Sequence, residues 1–217
     1  FPIASYGFQS LKTVQLMTEI ERLAYADRAK FLGDPDYYPV PVKQLTSDAY
    51  ITERLKLYRP DTAGNSVQIQ AGVVQKESEE TTHLSIADQW GNAVSVTTTL
   101  NGGYGSRTVV GGAGFLLNNE MDDFSAKPGE PNMFGLVGNE ANSIEPQKRM
   151  LSSMTPTIVE KNGKLFMVVG SPGGSTIITS VLQTILNVYE YRLSMQEAVN
   201  APRFHHQWLP DLITFEP

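Results

Sequence analysis

The most informative segment of this 217-residue chain reads Glu77-Ser78-Glu79-Glu80-Thr81-Thr82-His83. An acidic, turn-prone run meets two threonines there, and an alternating strand pattern follows. Threonine is a weak nucleophile at its ordinary pKa and needs an adjacent base. A cut before Thr81 would supply that base, because the new α-amino group titrates near neutral pH. The segment therefore predicts a self-cleavage site, although from these residues alone an ordinary solvated loop before a strand is the commoner case.

Composition places the chain among globular α/β or α+β proteins. It is 41% hydrophobic and 18% charged, with a formal net charge of -6,. No apolar run approaches the roughly 20 residues of a membrane helix. The absence of cysteine excludes thiol catalysis, disulfides and Cys-ligated zinc,. An acidic balance without a Lys/Arg cluster argues against nucleic acid and anionic membranes, so we expect small molecules or other proteins as partners.

Helical periodicity dominates the first part of the chain. Apolar residues recur at helical spacing over residues 10–32, with Ser10 as the N-cap and Gly33 as the stop, and predict an amphipathic helix,. Ser47 is predicted to cap a second helix that extends to Tyr58.

From Thr81 onward the periodicity changes to two, which predicts strands. The dipeptide Asn162-Gly163 is a strong hairpin signal,. Residues 101–149 form a Gly-, Asn- and Pro-rich connection that is too long for a simple link, and such loops are often functional. We predict two hairpins with strands at Thr82–Asp88, Asn92–Leu100, Thr157–Glu160 and Lys164–Val169.

A glycine-rich turn, Gly170-Ser171-Pro172-Gly173-Gly174-Ser175, leads into an apolar helical pattern. It lacks the Gly-Lys-Ser/Thr ending of a phosphate loop. Backbone N–H groups of Gly173 and Gly174 at a positive helix end would instead suit an oxyanion hole. A tight strand-to-helix turn with no further role remains the alternative.

Further polar candidates leave several interpretations open. The run Asn118-Asn119-Glu120-Met121-Asp122-Asp123 suits a calcium ion, an ammonium group or plain solvent, and it lacks the regular alternation of an EF-hand loop,. Ser152 and Ser153 are suited to donate hydrogen bonds to a carboxylate. We expect the three histidines to be structural.

Seven ordered blocks of the chain resemble the gamma-glutamyltransferase (gamma-glutamyltranspeptidase) family. Upstream, residues 24–28 and 32–35 resemble the end of that family's large subunit, so the likeness covers essentially the whole chain. The seven blocks are Thr81-Thr82-His83, Gly91-Asn92-Ala93-Val94, Leu116-Leu117-Asn118-Asn119, residues 121–129, Leu151-Ser152-Ser153-Met154, Gly170-Ser171-Pro172-Gly173-Gly174 and residues 200–206.

The resemblance implies an N-terminal nucleophile hydrolase with an α+β fold, a four-layer αββα sandwich that is incomplete in this fragment. The precursor would cut itself between Glu80 and Thr81. Residues 1–80 would then be the C-terminal part of the large subunit, and residues 81–217 the small-subunit catalytic region. Thr81 would cleave the γ-glutamyl amide of glutathione or a related compound through an ester, with water, an amino acid or a peptide as acceptor. No cofactor or metal is implied.

Site roles follow from the resemblance where residues match. Thr99 is expected to activate the nucleophile, and Gly173 and Gly174 to form the oxyanion hole. Phe134 stands in the lid segment where several relatives have tyrosine. An arginine of the large subunit, upstream of Phe1, is expected to bind the α-carboxylate. The remaining substrate contacts are Asn101, Glu120 and Asp123 for the α-amino group, and Ser152 and Ser153 for the α-carboxylate.

Other classes of function stay open on the sequence. One is a catalytically silent binding domain of the same fold, and another is a metal-binding module built on Glu120, Asp122 and Asp123. A poly-γ-glutamate-processing enzyme would use the same residues. The resemblance also implies a periplasmic or extracellular location, and the missing large-subunit portion as the main protein partner.

Overall fold

Helices and antiparallel strands together make the fold α+β, as the sequence predicted. The structure, a computed structural model, describes residues 1–69 and 81–217. Glu80, the residue predicted to precede the cut, lies outside the described residues. Within these ranges no helix has the length and apolar character needed to cross a membrane. The helices are α1 (Leu11–Phe31), α2 (Val42–Leu45), α3 (Asp48–Leu55), α4 (Ile177–Tyr189) and α5 (Met195–Asn200). The strands are β1 (Thr81–Ala87), β2 (Ala93–Thr99), β3 (Thr157–Lys161), β4 (Lys164–Val169), β5 (Phe204–His205) and β6 (Thr214–Phe215).

The described residues group into two compact units. Unit 1 takes its residues from three segments, within Phe1–Lys76, Asp122–Leu151 and Phe204–Pro217. Unit 2 takes its residues from two segments, within Glu77–Met121 and Ser152–Arg203, and its first described residue is Thr81. The predicted division at residues 80 and 81 concerns the covalent chain and stays a prediction.

The long helix α1 of unit 1 begins and ends where the sequence predicts. Ser10 caps it, because its Oγ accepts a hydrogen bond from the Thr13 N–H at 3.2 Å,. After Phe31 the chain passes Gly33, where an added Cβ would lie 2.0 Å from the Ala141 carbonyl oxygen. Only glycine fits this close approach of two backbones.

The buried face of α1 is more polar than the predicted apolar stripe. Glu19, Glu21 and Arg22 are buried, whereas Leu11 is 86% exposed. Arg22 explains the difference in part, since its guanidinium pairs with Glu19 and with Asp211. Burial raises the pKa of Glu21 well above its usual value.

Helix α3 ends earlier than predicted. Ser47 caps it as expected, accepting from the Tyr50 N–H at 3.3 Å, but the helix stops at Leu55 rather than at Tyr58. The chain there changes to three-residue turns, with the Tyr58 N–H bonded to the Leu55 carbonyl,. The Tyr58 hydroxyl donates instead to Gln15 of α1 at 3.0 Å.

Two hairpins form the frame of unit 2. Strands β1 and β2 pair antiparallel, and the Asp88 carboxylate closes their turn by accepting from the N–H groups of Trp90 and Asn92, both at 2.9 Å. Strands β3 and β4 pair around Asn162-Gly163, whose two positive φ angles, 54° and 72°, fit a type I′ hairpin turn,. Both predicted hairpins are confirmed.

An apolar cluster holds α4 against the second hairpin. Met167 and Val169 of β4 and Ile177 and Val181 of α4 form its buried centre. Four partly buried side chains pack around it, namely Met154, Val159, Ile185 and Val188. This packing fixes the glycine-rich turn between β4 and α4. The predicted capping box of Ser194 and Glu197 opens α5.

His206 couples the stability of unit 1 to pH. It has no exposed surface, and its Nδ1 accepts from the Trp208 N–H at 3.2 Å. Its Nε2 faces Asp211 Oδ1 at 3.3 Å. Burial, helped by the Arg22 charge, lowers the pKa of His206 to about 4 against the opposing effect of Asp211. The folded protein therefore holds this imidazole neutral.

As the pH is lowered, we expect the protein to lose stability at a higher pH than protonation of its carboxylates alone would cause. The unfolded pKa of histidine is about 6.5, so the free energy of unfolding is highest above that pH and falls by roughly 3 kcal/mol towards pH 4. Urea unfolding between pH 7.5 and 4.5 measures this slope. H206Q should flatten it, whereas H83Q, the matched control in unit 2, should leave the His206 contribution in place. An unchanged slope in H206Q would contradict the assignment.

Candidate active site

Thr81 and Thr99 lie opposite each other at the open end of the first hairpin. They are the first residue of β1 and the last of β2, and they pair directly. Side chains of paired residues share a face, and the Thr81 hydroxyl donates to Thr99 Oγ1 across 3.4 Å. The Asn101 N–H donates to that same Oγ1 at 2.9 Å. Thr99 Oγ1 thus accepts from both groups, and the Asn101 N–H holds it in place beside Thr81.

A groove opens beside this pair. Its volume is about 440 Å³, within the range of small-molecule sites,. It is lined by Thr81, Thr82, Thr98, Thr99, Leu100, Gly102 and Gly103. The four threonines and two glycines of this surface present both hydroxyl and backbone groups to a ligand.

Asn101 is buried and bonded to Asn119, a residue of the predicted polar run to which the sequence assigned no positioning role. Its Nδ2 donates to the Asn119 carbonyl at 3.2 Å, and its φ of 72° lies in a region that asparagine tolerates,. Asn119 in turn accepts from the Gly102 N–H at 2.8 Å and donates its N–H to the Leu100 carbonyl at 3.1 Å. Asn119 therefore positions Asn101. The adjacent Asn118-Asn119 pair was the available signal, because asparagine often bonds loop backbone.

The acidic residues divide between the two units. Glu120 belongs to unit 2, and burial raises the pKa of its carboxyl group. Asp123 belongs to unit 1, where its carbonyl accepts from Asn142 Nδ2 at 2.7 Å. Their arrangement around one ligand stays a prediction. Asn142, which also accepts from the Leu151 N–H at 2.9 Å, is a second positioning residue without a sequence signal.

The metal interpretation gains no support from these carboxylates. Asp122 Oδ2 already accepts from the Met133 N–H at 2.9 Å. Across residues 1–69 and 81–217 no group of three His, Asp or Glu side chains is placed to hold a metal ion.

Ser152 and Ser153 follow the long connection in unit 2. Ser152 is exposed, and its Oγ accepts from the Met154 N–H at 3.1 Å. This bond leaves the Ser152 hydroxyl proton available for a ligand carboxylate. Ser153 is half-buried beside it.

The glycine-rich turn places two successive glycines directly before α4. Gly173 and Gly174 have φ angles of 128° and 54°, and a 3-10 turn at Gly174–Thr176 precedes α4. The Thr176 N–H and hydroxyl donate to the Gly173 carbonyl at 2.9 and 2.7 Å, which fixes that peptide. Among the residues that the structure describes, neither the Gly173 N–H nor the Gly174 N–H donates a backbone hydrogen bond. Both are thus available to a negatively charged oxygen.

His83 links this turn to the first hairpin. Its ring packs so closely on Gly170 that an added Cβ would lie 2.1 Å from the imidazole. The ring nitrogens face Thr97 Oγ1 at 2.8 Å and Ser85 Oγ at 2.9 Å. With both nitrogens engaged, the histidine has a structural role. The start of the glycine-rich turn, at Gly170, therefore contacts the first hairpin through His83, which lies two residues along β1 from Thr81.

Phe134, the predicted lid residue, is buried in unit 1. Phe134 is only 5% exposed. Its N–H donates to Asn132 Oδ1 and its carbonyl accepts from Gln207 Nε2, both at 3.0 Å. The ring is thus held in the interior of unit 1 in this conformation, and its part in closing a site stays a prediction.

The profile of the gamma-glutamyltranspeptidase family matches residues 1–217. The chain belongs to this family. It is 53% identical, over all of its length, to the glutathione hydrolase proenzyme of Escherichia coli (strain K12), and 42% identical over 94% of its length to that of Bacillus subtilis (strain 168). It spans just over a third of the length of these curated relatives, 37% and 36%.

A solved structure shares both fold and sequence with this chain. It is the T380A mutant of gamma-glutamyltranspeptidase from Helicobacter pylori, with 67% identity and a TM-score of 0.62. The match covers 63% of this chain and 73% of that one. The described fold is therefore the fold of the gamma-glutamyltranspeptidase family over most of the chain.

We expect Gly173→Ala to destabilise the protein more than Gly163→Ala. Both glycines have positive φ, but only at Gly173 would the new Cβ collide with Thr176, 2.4 Å from its Oγ1. The strained backbone costs about 1–2 kcal/mol at either position, and the collision adds to the loss at Gly173. Urea unfolding of both variants measures the difference. Equal losses of unfolding free energy in the two variants would show that the turn at Gly173 relieves the collision without cost.

Proposed function

We propose that this chain carries the nucleophile and the oxyanion hole of a gamma-glutamyl transferase/hydrolase that matures by cutting itself between Glu80 and Thr81. The supporting observation is the Thr81 hydroxyl at the open end of β1, directed at Thr99 Oγ1, which the Asn101 N–H orients. A hydroxyl is a useful nucleophile only when neighbouring groups hold it and accept its proton.

The proposed maturation step needs no outside reagent except water. Thr81 Oγ attacks the Glu80 carbonyl carbon, the peptide C–N bond breaks, and the hydroxyl proton passes to the departing nitrogen. The resulting ester joins Glu80 to Thr81 Oγ. Water then cleaves the ester and leaves a Glu80 carboxylate and a free Thr81 α-amino group. That amine is the base that the mature nucleophile requires.

The proposed catalytic cycle repeats this chemistry on a substrate. Thr81 Oγ attacks the γ-carbonyl carbon of glutathione or a related γ-glutamyl compound, and the amine leaves with the proton. The negative charge that develops on the carbonyl oxygen is met by the N–H groups of Gly173 and Gly174. Removing one such donor typically costs about 10²–10³-fold in rate. Water or an amino acid or peptide then takes the γ-glutamyl group from Thr81.

In the proposed recognition of the glutamyl end, each charged group of the substrate meets side chains that can hydrogen-bond it. Asn101, Glu120 and Asp123 would bind the α-ammonium group, and Ser152 and Ser153 the α-carboxylate, together with an arginine contributed by the rest of the protein. Charge-assisted hydrogen bonds are the stronger kind. A substrate that lacked either charged group would leave buried polar groups unpaired, so selectivity would be high at this end. Phe134 would shield the site as part of the lid.

The αββα sandwich is the arrangement that best accounts for the exposed apolar face of the first hairpin. Leu84, Ile86, Val94 and Val96 lie on one face, opposite to the Thr81 face, and each is between 44% and 54% exposed. Sheets bury such a face against another layer. In unit 1 an apolar groove of about 350 Å³ along α1, α2 and α3 is similarly open. We propose that parts of the protein outside this chain cover both surfaces.

We expect Thr81→Ala to abolish both self-cleavage and turnover in the full-length protein, because the attacking oxygen is removed from both reactions. Thr81→Ser, which keeps the hydroxyl, should retain part of each. Intact mass under denaturing conditions reports the cut, and release of the chromophore from a γ-glutamyl anilide reports turnover. Turnover that survives in Thr81→Ala would refute the proposed nucleophile.

A further inference from the structure

Arg28 is a positive charge that unit 1 partly removes from solvent. It lies in the last turn of α1. A cation in that turn ordinarily stays in water and favours the helix dipole, as does the exposed Lys30 two residues further on,. Arg28 is instead half-buried, and burial lowers the pKa of its guanidinium against the opposing effects of Tyr25 and Asp123. A cation in such surroundings needs an anion close to it.

Arg28 borders a small cavity within unit 1. The volume of this cavity is about 120 Å³. Within residues 1–69 and 81–217, Arg28 is the one lining residue that comes from α1, and all the others come from residues 122–151. Three of those are carboxylic acids, namely Asp122, Asp123 and Glu130. The cavity is thus the place where α1 brings an arginine to this acidic segment.

The contacts of the three acids identify Asp123 as the counter-ion of Arg28. Asp122 Oδ2 already accepts a backbone N–H at 2.9 Å, and Glu130 pairs with Lys127 at 3.2 Å. Two residues act against the lowering of the Arg28 pKa, a tyrosine and Asp123. Tyrosine is neutral near pH 7. Asp123 is therefore the negative charge that Arg28 meets at that pH.

The backbone of Asp123 is fixed independently of Arg28. The Asp123 carbonyl accepts from Asn142 Nδ2 at 2.7 Å, and the Ser125 N–H donates to the Asn142 carbonyl at 2.9 Å. Phe124, which lies between them in the chain, is 5% exposed. These contacts set the position of the Asp123 main chain but not its side-chain torsions. The attraction of the guanidinium favours one direction of the carboxylate.

We propose that Arg28 is a positioning residue that holds the Asp123 carboxylate in the direction needed to bind the α-ammonium group of the substrate. The inference rests on the proposed function, since it assigns a role that acts through Asp123 in that recognition. An ionised carboxylate has about four lone-pair sites, so Asp123 can accept from a guanidinium and an ammonium group together. The part of the chain before the predicted cut would then help to set the specificity of the part after it.

Two substitutions of Arg28 separate its charge from its shape. Lysine keeps the charge but lacks the planar fork of donors that matches a carboxylate. Methionine removes the charge and keeps an unbranched side chain. Arg54→Met is the matched control, because Arg54 pairs with Asp27 at 3.0 Å in the same unit and does not line the cavity.

The experiment compares ligands with and without an α-ammonium group. Arg28→Met, Arg28→Lys and Arg54→Met are made in the full-length protein, and the matured fraction is assayed with a γ-glutamyl anilide for KM and kcat. Inhibition constants are measured for L-glutamate and for glutarate, which is L-glutamate without its amino group. Asp123→Asn, alone and combined with Arg28→Met, completes a double-mutant cycle. Thermal unfolding checks that each variant folds.

We expect Arg28→Met to raise KM and the inhibition constant of L-glutamate about tenfold or more, because a charge-assisted hydrogen bond is misdirected. Both kcat and the inhibition constant of glutarate should stay within about threefold, since neither depends on the ammonium contact. Arg28→Lys should weaken L-glutamate by about threefold or more, and Arg54→Met should match the unmodified protein. In the Asp123→Asn background, Arg28→Met should have no further effect.

Equal weakening of L-glutamate and glutarate would overturn the inference, because general damage to the site does not distinguish them. An unchanged KM in Arg28→Met would overturn it too, as would a full effect of Arg28→Met in the Asp123→Asn background. If Arg28→Met does not fold, the same measurements on Arg28→Lys decide. An unmodified protein that does not turn over the anilide, or that binds glutarate as tightly as L-glutamate, would contradict the proposed function instead.

Discussion

The register of the first hairpin is the constraint on which the candidate site depends. The Asp88 carboxylate closes the turn, and from there the pairing runs without interruption to Thr81 opposite Thr99. A slip of one residue would move Thr81 to the opposite face, because side chains alternate along a strand. The hydroxyl pair, its orientation by the Asn101 N–H and the apolar character of the other face all follow from this one alignment.

Much of the local structure was readable from the sequence because its signals are short-range. The Ser10 and Ser47 caps, the Asn162-Gly163 turn and the Ser194–Glu197 capping box each need only a few neighbouring residues. Period-two alternation likewise located the hairpins. The match to the gamma-glutamyltranspeptidase family confirmed the resemblance that the ordered motifs indicated.

What the sequence did not predict depends on partners that are distant along the chain. Periodicity treats Glu19 and Arg22 as a solvated face of α1, yet both are buried. Gly64 donates a hydrogen bond to Glu19, and Arg22 bonds to Ser66 and Asp211. Asn119 and Asn142 were missed as positioning residues for the same reason, since an asparagine shows its role only when the loops it joins are seen. Helix α3 ends at Leu55, and Tyr58, which the sequence placed on that helix, bonds to Gln15 of α1.

Unit 1 is assembled from segments that precede and follow the predicted cut. While the chain is continuous, these segments meet at the high effective concentration of an intramolecular contact. A cut at Glu80–Thr81 would leave the folded contacts in place but remove the covalent link that brought the segments together. Reassembly after full unfolding would then become a bimolecular reaction that slows on dilution. The lifetime of a matured molecule would therefore depend on its rate of unfolding rather than on its ability to refold.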